Sequence, residues 1–238
     1  MKQRVLSEAK KDTYFSSSEQ VDFKTNEGTK ELGELFPFIV SGGTNTERYY
    51  FKHINDTTRF KFNIRPEYFV DESAYTEVFL KRIQQIQKNN MGARIFCVYD
   101  MDSVFRNPKN SLKNKAFTAT VKEQYGDVEL CPSMPCIEYW FLLHYINHTG
   151  LLKNYSEASQ LLSPYFKSDF PDSAHRLKKL LKSEKYLKDA EWVKHLCSDG
   201  KLEKAICRAE ENISKAIKEN DLENQSYSYV FKIFKYFG

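Results

Sequence analysis

RIFCVYDMDS, residues 94–103, sets five consecutive apolar residues after Arg94 and then places two aspartates two positions apart. A strand covered on one face alternates apolar and polar residues. A continuous apolar run of this length instead reads as a strand buried on both faces, as in the middle of a parallel sheet flanked by helices. Upstream, Phe36 to Val40 (FPFIV) is a short apolar strand that runs into Ser41-Gly42-Gly43. The residues from Thr46 to Ile54 then read as a helix. Arg59 to Ile64 (RFKFNI) alternates with period two, which suits a half-exposed strand near a sheet edge. Residues 73–90 form the clearest helix, with Tyr75, Val78, Phe79, Ile83 and Ile86 as its apolar stripe. Downstream, the expectations are a helix over 110–125, a strand over 127–131 and an apolar helix over 135–146, CIEYWFLLHYI, with Pro135 suited to its first turn.

Strands alternating with helices imply βαβ units. The expected fold is α/β and Rossmann-like, with a mostly parallel four-stranded sheet flanked by helices. After Gly150 the pattern is helical, over about 155–163, 173–182, 184–197, 201–219 and 226–237. The domain reading is therefore an N-terminal extension over 1–35, an α/β domain over 36–150 and a C-terminal helical subdomain over 151–238.

Composition narrows the class. The 238 residues suit one domain with an appended subdomain, and 41% apolar residues suffice for a packed core. A net charge of +4 does not by itself indicate nucleic acid. There is no 18-residue apolar run and no signal-peptide pattern, so no membrane is expected and the expected location is the cytoplasm. Five cysteines without a CxxC pair argue against a disulfide framework. Cys131 and Cys136 lie close in sequence but have no paired histidines, which disfavours zinc. Neither GxSxG, nor Walker A, nor GxGxxG occurs.

Chemistry is expected beyond the carboxyl ends of the strands. Asp100 and Asp102 stand there, directly after a buried strand. Two carboxylates facing the same way repel unless a cation lies near them, and Mg²⁺ favours a few carboxylates plus waters and phosphates. The other reading is an Asx turn that ends the strand. Glu138 and Glu47 each fall in the first turn of a helix that follows a strand. Either would reach the same rim, or simply favour the helix dipole. His144, within an apolar run, reads more readily as a hydrogen-bonded core residue than as a ligand. HRLKKLLKSEKYLK, residues 175–188, keeps its leucines on one stripe and turns Arg176, Lys178, Lys179, Lys182 and Lys185 outward. Such a face can track phosphates, or simply be solvated.

Three segments together resemble the RloB-like family, whose core is a Toprim-type α/β domain. The family's first motif resembles apolar-x-x-E-G-x-x-T-E-x-x-Y-F, and residues 39–51 read IVSGGTNTERYYF. Its second is an aspartate pair after a strand, here YDMDS. Its third resembles S-N-P-x-F-E-x-W-L-L-L-H-F, and residues 133–145 read SMPCIEYWFLLHY. Gly42 stands where the family carries the Toprim glutamate, a general acid/base or metal ligand. The resemblance implies a Mg²⁺- or Mn²⁺-dependent nuclease of bacterial anti-phage defence and restriction-modification loci, acting on nucleic acid and often beside an ATPase or another defence protein. It implies that Asp100, Asp102 and Glu138 hold metal. Glu47 is the best surviving carboxylate for acid/base duty, and Lys188 or Lys185 would counter phosphate charge. The glycine leaves a second reading open: a degenerate Toprim module that binds nucleic acid or a partner without cleaving.

Overall fold

The computed structural model describes residues 36–42, 46–66, 75–169, 181 and 184–238. The N-terminal extension over 1–35, the expected helix over 173–182, and Arg176, Lys178, Lys179 and Lys182 lie outside the described residues, as does the side chain of Lys185.

Strand β1 (Phe38–Ser41) leads to helix α1 (Thr46–Thr57), β2 (Asn63–Pro66) and α2 (Tyr75–Asn89). Then come β3 (Ile95–Asp100), the short α3 (Asp102–Arg106), α4 (Pro108–Gln124), β4 (Val128–Met134) and α5 (Ile137–Leu143). The C-terminal part holds α6 (Tyr155–Asp169), α7 (Glu184–Leu187), α8 (Glu191–Cys197), α9 (Lys201–Lys218), β5 (Tyr227–Ser228) and α10 (Phe231–Lys235).

The sheet runs β2-β1-β3-β4-β5, so β3 is central, as its pattern implies. β2 is an edge, although it overlaps the alternating run Arg59–Ile64, expected as the edge strand, only at Asn63 and Ile64. The first four strands are parallel, joined by β1–β2, β1–β3 and β3–β4 ladders. The sheet has five strands rather than four. Its fifth, β5, pairs antiparallel to β4 through Ser133–Ser228 and Met134–Tyr227. This corrects the expectation that strands stop after Gly150 and that a helix fills 226–237. A two-residue strand is too short to show a period, and its aromatic neighbours fit either element. The expected helix over 184–197 is also two helices. They part where the Asp189 Oδ1 accepts the Glu191 N–H at 3.0 Å, the usual behaviour of an aspartate at a helix start.

Both faces of β3 are buried, as its sequence requires. Ile95, Cys97 and Tyr99 join Phe38 and Val40 under α2 and α4, against Phe79, Ile83, Phe117 and Val121. Phe96 and Val98 face the opposite way, into a larger core with α1, α5 and the C-terminal helices. Residues 36–238 form one compact unit. α5 sits at the centre of the larger core, where Trp140 stacks on Phe234 with ring centroids 5.7 Å apart.

Trp140 Nε1 donates to the Tyr50 hydroxyl at 2.8 Å, tying α5 to α1 behind the sheet's upper rim. Both rings are fully buried. Replacing Tyr50 by Phe leaves the indole N–H with no acceptor in a dry site. We expect Tyr50→Phe to cost about 1–3 kcal/mol, read from urea unfolding. An unchanged midpoint would show that the pair contributes nothing.

Candidate functional site

The strand order reverses between β1 and β3: the chain moves outward from β1 to β2, then returns to β1's other side. In open α/β sheets the crevice at such a reversal, beyond the strands' carboxyl ends, is where ligands bind. Here Ser41 ends β1, with Gly42 just after it, and Asp100 ends β3.

Asp100 is held from two directions. Its Oδ1 accepts the Ile137 N–H at 2.9 Å, so it caps the first turn of α5 from another strand. The following backbone is clamped as well. The Met101 N–H donates to the Ser133 and Pro135 carbonyls at 2.9 and 3.0 Å, and the Asp102 N–H donates to Pro135 O at 2.9 Å. The β3–α3 turn and the β4–α5 junction are therefore one rigid corner, and two carboxylates leave it. Asp102 pairs with Arg106 at 3.1 Å across one turn of α3.

Glu47 and Glu138 are nearly buried, with 6% and 5% of their surface exposed, an unusual state for carboxylates. They come from the first turns of α1 and α5, and both act on Asp100. Burial is the first cause that pushes the Asp100 carboxyl well above the usual carboxylate range. The negative charges of Glu47, Glu138 and Asp102 push it further, and the Ile137 N–H opposes them. Asp100 keeps part of its surface open to solvent, yet so much protein surrounds the carboxyl that its charged form is disfavoured. The structure thus brings together the four carboxylates singled out from sequence.

No three His, Cys, Asp or Glu side chains among the described residues form a ready-made ligating group. Mg²⁺ does not require one, because it is commonly held by one or two carboxylates with waters completing the shell. An all-oxygen donor set whose members repel one another matches a hard divalent cation in charge and chemistry.

The other expected residues are placed as follows. His144 is a core residue: its Nδ1 bonds Trp140 O at 2.9 Å, and burial holds its pKa down to about 3. Cys131 and Cys136 are free and buried. The basic segment borders α1. The Thr46 hydroxyl donates to Leu181 O at 3.0 Å, and His53 Nε2 donates to Leu187 O at 2.6 Å. Leu181 therefore lies beside the first turn of α1 and Leu187 beside His53, further along it. Lys188 is exposed just past this segment, roughly 10 Å along the helix from Thr46 at 1.5 Å per residue.

A family model described as RloB-like protein matches residues 37–236. The chain belongs to the RloB-like family. Neither the curated proteins nor the solved structures give a match. Every strand and every carboxylate described above falls inside the matched span. The segments that resemble the family's motifs lie at the same end of the sheet: Ile39 to Ser41 end β1, Tyr99 and Asp100 end β3, and SMPCIEYW joins β4 to α5.

Gly42 is the departure. Its N–H donates to Val98 O at 2.7 Å, which draws the end of β1 tightly against β3. A Cβ there would lie 3.3 Å from Tyr99 Cβ and 3.5 Å from Val98 O. Sequence reasoning missed two parts of this corner: the backbone clamp on Met101 and the cap that Asp100 supplies to α5. A long-range cap leaves no local signal, since Asp100 and Ile137 are 37 positions apart.

Proposed function

We propose that this RloB-like protein is a Mg²⁺- or Mn²⁺-dependent phosphodiesterase acting on nucleic acid, a nuclease component of bacterial anti-phage defence or restriction-modification working in the cytoplasm. The observation that carries this reading is the convergence of Asp100 with Glu47, Glu138 and Asp102 at the strand-order reversal. The pressure that the charges of Glu47, Glu138 and Asp102 put on Asp100 is a cost that a bound cation would offset. Among the described residues no helix is long and apolar enough to cross a membrane, which is compatible with this setting.

Asp100 and Asp102 are the first ligands in this account, carried by the rigid β3–α3 corner. Glu138 would complete the set from α5. Bound there, a divalent cation supplies charge neutralisation and Lewis-acid polarisation of a phosphoryl oxygen. Glu47, whose charge acts on Asp100, would accept a proton from a water at the same rim. Lys185 or Lys188 would counter the charge of an approaching phosphate, and Arg176, Lys178, Lys179 and Lys182 would track the nucleic-acid backbone.

The test is a cleavage assay on plasmid DNA and on structured RNA, with Mg²⁺, Mn²⁺ or EDTA. Products with Mg²⁺ or Mn²⁺ and none with EDTA are expected. If no product forms on either substrate, with or without an ATPase or other defence protein encoded beside it, the reading fails.

Gly42 favours one alternative: a module that binds nucleic acid or a partner defence protein without cutting. It would bind the same substrates in EDTA and release no product under any condition.

A further inference from the structure

Helices α3 and α4 leave the carboxylate corner in direct succession. α3 begins at Asp102, and α4 follows it after Asn107 alone. The Asn107 Oδ1 caps α4 by accepting the Lys109 N–H at 3.0 Å. The Asn110 side chain donates to Ser103 O at 3.4 Å, which ties the first turn of α4 back to the start of α3. On its inner side, Phe117 packs against Phe79 and Tyr99, with ring centroids 5.8 and 6.2 Å away. The core and the corner together fix which way α4 faces.

The charge on this helix is one-sided. It carries Lys109, Lys113, Lys115 and Lys122, and Glu123 in its last turn is its sole acid. Lys109, Lys115 and Lys122 are exposed. Among the described residues, none of these three ammonium groups has a carboxylate partner. α9 is as rich in lysine, but it interleaves Glu203, Glu210 and Glu211, and its Lys201 and Lys215 pair with Asp169 and Glu219. On α4, Lys115 and Lys122 share one flank two turns apart, about 10 Å along the axis. Lys109 stands on the other flank. Between the flanks lie Leu112, Ala116 and Ala119, exposed and uncharged.

Such an array answers a need of the corner. Glu47, Glu138 and Asp102 surround Asp100 with negative charge, and a polyanion brought there meets the same repulsion. A divalent cation offsets part of it, and fixed cations beside the carboxylates would offset the rest. Arg106 is the first of these. Its Nη2 donates to Asp102 Oδ2 at 3.1 Å, yet its side chain is 55% exposed, and a guanidinium has further donors for a phosphate. The α4 lysines continue outward from it. Lysines bind phosphates as point charges and read no bases.

We infer that Arg106, Lys109, Lys115 and Lys122 form a second phosphate track, in addition to the basic segment over 176–188, that guides a nucleic-acid backbone of any sequence to the Asp100–Asp102 corner. This rests on the nuclease reading for its destination but not for its test.

The test is fluorescence anisotropy on the full chain in EDTA, with labelled single-stranded and duplex oligonucleotides over a range of KCl concentrations, so that binding is read without cleavage. Lys109→Ala/Lys115→Ala/Lys122→Ala should bind at least about tenfold more weakly at low salt, and its plot of log affinity against log salt should be shallower by about two to three. The loss should be the same for unrelated sequences. Lys204→Ala/Lys215→Ala/Lys218→Ala removes the same charge from α9 and should bind like the natural chain. All six lysines are exposed on helices, where alanine is well accepted. No binding by the natural chain, an unchanged salt slope in the α4 variant, or an equal loss in both variants would overturn the inference. If the natural chain cuts and the α4 variant binds and cuts like it, this inference falls and the nuclease reading stands. A chain that binds through these lysines yet cuts nothing overturns the nuclease reading and leaves this one standing.

Discussion

Asp100→Asn is expected to remove divalent-cation-dependent cleavage, by at least about 100-fold, and at the same time to make the protein more stable. The two effects share one cause. Asparagine keeps an oxygen to accept the Ile137 N–H, so the cap on α5 survives. It removes the charge that burial, Glu47, Glu138 and Asp102 all oppose. The sign follows from proton linkage. The folded-state pKa of Asp100 lies above its unfolded value. Above the ordinary carboxylate range the folded chain therefore holds a proton that the unfolded chain has lost, and stability falls as pH rises through that window. The variant lacks this slope. Its melting temperature should match the natural protein in acid below the usual carboxylate pKa and exceed it at neutral pH by about 2–4 °C or more, the shift that 1 kcal/mol gives in a domain of this size. Thermal melts between pH 3 and 8, run beside the cleavage assay, measure both. A variant that is inactive but less stable at neutral pH would mean that Asp100 acts as a structural cap and that the carboxylate repulsion is negligible.

Gly42→Glu is expected to raise cleavage by about 100-fold or more, the usual contribution of a positioned acid/base group. The added side chain would leave just past the end of β1, beside Tyr99, the residue that precedes Asp100 on β3. It has a packing cost. Its Cβ falls 3.3 Å from Tyr99 Cβ, so the two strand ends must yield by a few tenths of an ångström. A loss of about 1 kcal/mol is expected from this overpacking. Gly42→Gln is the control, because it carries the same bulk without a titratable group. It should be equally destabilised and gain no activity. Gain with Glu alone would identify the natural chain as an attenuated enzyme. No gain in a folded variant would mean that the site works without a carboxylate at position 42, with Glu47 serving there.

The sheet was legible because its strands differ in kind. RIFCVY shows no alternation, which places it centrally, and β3 occupies that position; the alternating RFKFNI meets the edge strand β2 only at Asn63 and Ile64. The carboxylates were legible because each follows a strand or opens a helix at the same end of a parallel sheet, so topology alone gathers them. Other features were not legible. β5 is two residues long and is defined by its partner, β4, rather than by its own period. The Asp100 cap and the Met101 clamp join segments distant in the chain and leave no local pattern. Gly42 illustrates a further limit. The resemblance implies that a carboxylate is missing there, and only the fold shows how closely β1 approaches β3 at that point.

The most direct test of the central claim is isothermal calorimetry of Mn²⁺ and Mg²⁺ into the natural protein and into Asp100→Asn. We predict a saturable heat in the natural protein that is lost in the variant, although the variant stays folded and melts higher. No saturable binding by the natural protein, or equal binding by both, would contradict the assignment of this corner as a metal-dependent site.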